Sequence, residues 1–101
     1  MLHIVNKSPF ERNSLESCMR MAQEGSTILL TEDGVFAVTK GGVSEKALKN
    51  LMASKKISVC ALWPDLEARG MADNVIDGVK MVDYGGFVDL VADSANVQSW
   101  L

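Results

Sequence analysis

Ile57-Ser58-Val59-Cys60-Ala61-Leu62-Trp63-Pro64-Asp65-Leu66-Glu67-Ala68-Arg69-Gly70 decides the fold. Its first six residues form a short, nearly continuous apolar run, the pattern of a strand buried on both faces of a parallel sheet. Helix signals follow at once. Pro64 suits a first helical turn, where its missing N–H leaves no bond unmade, and Asp65 and Glu67 complement the positive end of the helix dipole. Gly70 stops the helix. A strand running straight into a helix is the repeating unit of an α/β protein.

Three more joints of this kind lie on either side: Val5-Asn6-Lys7-Ser8-Pro9-Phe10, Glu32-Asp33-Gly34-Val35 and Val82-Asp83-Tyr84-Gly85-Gly86-Phe87-Val88-Asp89-Leu90. Leu2–Val5, Thr27–Thr31 and Gly78–Val82 supply the strands before them. Asn13 suits an N-cap, with Glu16 completing a capping-box pair, for a helix from Ser14 to Gln23 closed by Gly25 as C′ residue. Val35–Val38 reads equally as a short helix or a strand. After the loop Thr39-Lys40-Gly41-Gly42, Ser44 caps a helix to Ala53 with Ala47, Leu48 and Leu51 on one face. Asp83 caps a last helix whose Phe87, Val88, Leu90 and Val91 form its buried side. The expectation is one domain over residues 1–101: a three-layer α/β/α fold with a mostly parallel, Rossmann-like sheet of four to five strands. Function in such sheets gathers at the carboxyl ends of the strands.

Composition narrows the function classes. Hydrophobic residues make up 48% of 101 residues, enough for a packed core. The net charge is −3 with no Lys/Arg stripe, which argues against a nucleic-acid footprint. His3 is the single histidine and the two cysteines, Cys18 and Cys60, form no CxxC, so neither zinc nor another cofactor is expected. A disulfide is not implied. The apolar start is too short for a signal peptide, and no run approaches the roughly 20 residues that span a bilayer, which makes the cytoplasm the expected location.

Cys18 is the sharpest chemical candidate. A thiolate can accept sulfane sulfur as a persulfide and hand it on, by chemistry akin to disulfide exchange. Its helical neighbours Ser14, Leu15, Met21 and Ala22 carry no cation, so the residues alone favour a structural cysteine. Cys60, inside a strand, reads as an inert buried thiol. Lys7, Asp33, Asp65 and Arg69 lie at or just after the joints. They form either a polar rim for a partner or ordinary turn and cap chemistry. His3 reads as a core or sheet-face histidine. Trp63, Tyr84, Phe10 and Phe36 place aromatics near strand ends, where some would pack and others would meet a partner. Five methionines, Met19, Met21, Met52, Met71 and Met81, add adaptable apolar surface. Val97-Gln98-Ser99-Trp100-Leu101 is an apolar tail that should dock on its own core or on a neighbour.

The four joints in this order resemble the TusB/DsrH family, the smallest subunits of sulfur-relay complexes. The opening Met1-Leu2-His3-Ile4-Val5-Asn6-Lys7-Ser8-Pro9-Phe10 and the setting Ser14-Leu15-Glu16-Ser17-Cys18 are similar to the DsrH form. Lys40–Lys56 is the least family-like stretch. The resemblance implies a DsrE-like fold and a hetero-oligomer with DsrE/TusD-like and DsrF/TusC-like subunits, two copies of each. Sulfur would pass through it to a DsrC/TusE-type carrier. It makes Cys18 a candidate persulfide carrier, auxiliary to the main cysteine of the larger DsrE/TusD subunit, and the chain at most an accessory sulfurtransferase subunit. DsrH-type members belong to sulfur oxidation and TusB-type members to 2-thiouridine formation in tRNA. A purely structural subunit without its own chemistry is the alternative. Isolated from partners, the chain is compatible with a homo-oligomer. A phosphate-binding module is the competing class, but the first joint holds Lys7-Ser8-Pro9 where it would need a glycine-rich loop.

Overall fold

The computed structural model describes residues 1–10 and 13–100. Five strands, β1 (Leu2–Val5), β2 (Thr27–Leu30), β3 (Ser58–Leu62), β4 (Lys80–Val82) and β5 (Val97–Trp100), form one sheet in the order β4-β3-β2-β1-β5. Every neighbouring pair is parallel. The helices are α1 (Ser14–Met21), α2 (Glu45–Ser54), α3 (Trp63–Ala68) and α4 (Tyr84–Asp93), with a 3-10 helix over Glu32–Val38. The chain steps outward from β1 to β4. It then returns along α4 to place β5 on the far side of β1, so the winding reverses at β1.

Period-two alternation in the strands builds two cores. Val5, Ile28, Leu30, Val59 and Ala61 point to one face and pack with Leu15, Cys18, Val35, Val38, Leu48, Leu51 and Leu66 from α1, the 3-10 helix, α2 and α3. Leu2, Leu29 and Cys60 point to the other face and meet Ile4, Val82, Phe87 and Leu90. The expected three layers are therefore present. The second layer is thin, because α4 alone covers that face and none of its residues is fully buried. Phe87 and Leu90 are half-buried, whereas Val88 is 63% exposed and Val91 lies open beside it. The expected four-residue buried side of this helix is thus a two-residue one.

Several local signals act as expected. Asp83 caps α4, its Oδ1 accepting from the Gly86 N–H at 2.7 Å. Gly70 (φ +66) ends α3: its N–H bonds the Glu67 carbonyl and the Met71 N–H bonds that of Leu66. This is the paired hydrogen-bond pattern of a Schellman stop, with Met71 and Leu66 in the same core.

Others differ. Asn13 holds φ −92, ψ 21, outside the extended region a side-chain cap needs; it makes no side-chain cap bond, and its carbonyl accepts from the Ser17 N–H. Ser44 is likewise helical in backbone and makes no side-chain cap bond. Glu45 instead holds the preceding loop, accepting from the Gly41 N–H, and pairs along the helix with Lys49 at 2.9 Å. Helix α1 ends at Met21, and Gly25 (φ +83) serves the following turn. Ala47 is exposed, so α2 buries only Leu48 and Leu51. Gly78 is left-handed (φ +95), which shortens β4 to three residues. The Val97–Trp100 tail is itself a strand beside β1, and Leu101 lies outside the described residues.

The tightest backbone approach joins the 3-10 helix to β1. The Thr31 N–H bonds the Val5 carbonyl at 3.1 Å, and a Cβ on Gly34 would lie 2.2 Å from that same oxygen. Backbone cannot yield as a flexible side chain can. Gly34→Ala should therefore cost about 2–4 kcal/mol or prevent folding, at or above the usual overpacking range, as read by urea denaturation. Gly25→Ala, with open space around it, should bear only the left-handed strain of about 1 kcal/mol.

Candidate functional site

The carboxyl ends of the strands carry the polar rim read from the joints. Arg69, at the end of α3, donates from Nε and Nη2 to Asp33 Oδ1 at 3.0 and 2.9 Å, and from Nη1 to the Asp65 carbonyl at 3.1 Å. Asp65 Oδ2 accepts from the Glu32 N–H at 2.6 Å. Glu32 is left-handed (φ +49), an uncommon state for a residue with a Cβ, and the Asp65 carboxylate holds it there. Asp33, Asp65 and Arg69 thus form one latch tying the 3-10 helix to α3 across 36 residues of chain. Lys7 is not part of it. It is exposed on the turn after β1 and belongs to no ion pair among the described residues.

Exposed aromatics lie at the carboxyl ends of β3 and β4. Leu62 pairs with Val82 across β3 and β4, so Trp63 and Tyr84 leave the sheet at adjacent strand ends. Trp63 is partly open and Tyr84 is 62% exposed, whereas Phe36 packs against the core. A cleft of about 640 Å³ lies farther along, between the loop after β1, α1 and the start of α2. Phe10, Leu15, Met19 and Val43 give it apolar walls.

Cys18 lines neither surface. It is fully buried on the inner side of α1, and desolvation pushes its thiol up to about 12. Cys60 is buried on the opposite face of the sheet. Desolvation raises its thiol too, offset in part by Lys80. Neither microenvironment favours a thiolate, the form that would accept sulfur. The two thiols occupy different cores and form no disulfide.

His3 is a sheet-face histidine, as read. It is buried, and its Nδ1 accepts from Trp100 Nε1 at 3.1 Å, which ties β5 to β1. Burial, and secondarily the nearby N-terminal charge, lower its pKa, so the neutral ring is the form the fold holds. No group of three or more His, Cys, Asp or Glu side chains suited to a metal occurs among the described residues. The Asp33–Arg69 pairing is what sequence reasoning missed, whereas the burial of Cys18 agrees with the structural cysteine that its helical neighbours favoured. Periodicity gave one usable hint, since Leu15, Cys18 and Ala22 repeat at three and four residues.

Fold and rim together define a doubly wound α/β domain whose two cysteines are both buried. The crystal structure of the Escherichia coli ychN protein has the same fold, with a TM-score of 0.82 at 19% identity over 98% of this chain and 97% of that one. Residues 7–97 match the family described as DsrH like protein. The chain is also 34% identical over 100 residues to the protein TusB of Pectobacterium parmentieri, and 36% identical to that of Buchnera aphidicola. Each match covers 99% of this chain and all of the relative. The chain belongs to the DsrH/TusB family.

The thiols supply a pH test with a fixed sign. A thiol whose pKa is raised in the fold contributes stability below its unfolded value of 9.0 and loses it as pH rises toward 12. Above the histidine range urea stability should hold to pH 9.0 and decline beyond it. Replacing Cys18 by Ala should flatten that decline. In the native chain at neutral pH, both thiols should react with a disulfide reagent only at the rate of unfolding.

Proposed function

We propose that this chain is an architectural subunit of a sulfur-relay complex of the DsrEFH/TusBCD type. In this reading it assembles with DsrE/TusD-like and DsrF/TusC-like subunits and supports transfer to a DsrC/TusE-type carrier, while its own cysteines stay in the core. Family membership supports the relay. The burial of Cys18, with its thiol held neutral, supports the structural role over a persulfide-carrying one. The exposed Trp63, Tyr84 and Val88 supply apolar surface of the kind subunits bury.

Within the relay, formation of 2-thiouridine in tRNA is the reading favoured by full-length relatives named TusB. Sulfur oxidation rests on Cys18 and on the opening Asn6-Lys7-Ser8-Pro9-Phe10, and a cysteine sealed in the core gives that branch little chemistry to use.

Gentle purification of the tagged chain from its native cell should bring down two related subunits in equal numbers, seen by native mass spectrometry. Cys18→Ala should leave the complex intact and sulfur delivery within about twofold of wild type. A loss of delivery of tenfold or more, with the complex still assembled, would make Cys18 a carrier. Deletion of the gene should lower 2-thiouridine in tRNA, and an unchanged level would move the function to the other branch.

A further inference from the structure

We propose that the outer edge of β5 pairs, antiparallel, with β5 of a second copy of this chain, joining two sheets across a two-fold axis at Gln98. The register with β1 fixes which backbone groups are free to do so. Leu2 pairs with Val97, and the Leu2 N–H bonds the Asn96 carbonyl at 3.0 Å. In a parallel ladder the groups that point to one neighbour then come from every second residue. Asn96, Gln98 and Trp100 therefore face β1, while Val97 and Ser99 turn their N–H and C=O groups outward. An edge presenting alternate donors and acceptors accepts one kind of partner, an extended strand.

The side chains select the second copy. Val97, Gln98 and Ser99 are exposed and uncharged, and the strand holds no proline. Two usual guards of a free edge, charge and proline, are thus missing from this four-residue strand. The opposite edge, β4, is only three residues long and carries an exposed Lys80, which would face its own like in a symmetric pair. Two β5 strands meet no charge. Centred on Gln98, the antiparallel pair sets Val97 against Ser99 of the other copy, and Ser99 against Val97. These are the residues with outward groups, so four hydrogen bonds close at once. The two Gln98 residues meet as the close, non-hydrogen-bonded pair. Each also lines a cleft of about 420 Å³ with His3, Met21 and Trp100, so each would seat at the mouth of the other's cleft.

Sedimentation of the full chain, with two substitutions and a control, tests this. The isolated chain should be a dimer in equilibrium with monomer. Ser99→Pro removes an outward N–H and none used by β1, so it should weaken dimerisation at least about tenfold, since two bonds are lost per dimer. Its circular dichroism should not change. Under mild oxidation Gln98→Cys should form an interchain disulfide, because Cα atoms of such a pair stand about 4.5 Å apart. Ser99→Cys should not, since its copies lie on a diagonal of about 7–8 Å. A chain that stays monomeric to about 1 mM, or that pairs only with related subunits, would overturn the proposal. So would a dimer that cross-links as readily through Ser99→Cys as through Gln98→Cys. The cross-linking result stands even if the proline variant fails to fold.

Discussion

The backbone carbonyl of Val5 sets the geometry of the working end of this molecule. It receives the Thr31 N–H, and Gly34 lies against it so closely that no side chain fits between. That contact brings the 3-10 helix over the end of β1, and from it follow the left-handed turn at Glu32 and the reach of Arg69 to Asp33. The ion pairs themselves are half-exposed and each contributes on the order of 1 kcal/mol or less. They orient the rim, whereas apolar packing beneath it holds the fold together. Removing the glycine would disturb all of these at once, while removing one charge would disturb only a side chain.

The second constraint is the reversal of winding at β1. Four elements pack on one face of the sheet, and α4 crosses the other face alone. The consequence is a lopsided domain, with one well-filled core and one thin one. Val88 and Val91 stay open because no second helix among the described residues meets them. A domain of this shape invites association, which agrees with a family whose members are read as parts of assemblies.

What could be read from the sequence was the local chemistry of the joints. Pro64, Gly70 and Asp83 announce helix starts and stops through backbone rules that act within a few residues, and the structure follows them. The strand Val97–Trp100 was harder to see. It is an exposed edge with only two apolar residues, and it becomes a strand by pairing with β1 at the other end of the chain. The Asp33–Arg69 contact is long-range as well. Cys18 was found as a residue, but its surroundings depend on which side of α1 meets the sheet. Asn13 and Ser44 show the limit of capping rules, since the right residue type does nothing when its backbone is not extended.

Both sulfur atoms in the cysteines of this chain are sealed in apolar surroundings, on opposite sides of one sheet. In an assembly that hands sulfane sulfur from one exposed thiolate to the next, that arrangement has a value of its own. A neighbour with an open thiolate would divert the cargo or be oxidised by it. A neighbour whose thiols are buried and held protonated at neutral pH is an insulator: it would lie against the moving charge of a persulfide and neither accept it nor leak it to solvent.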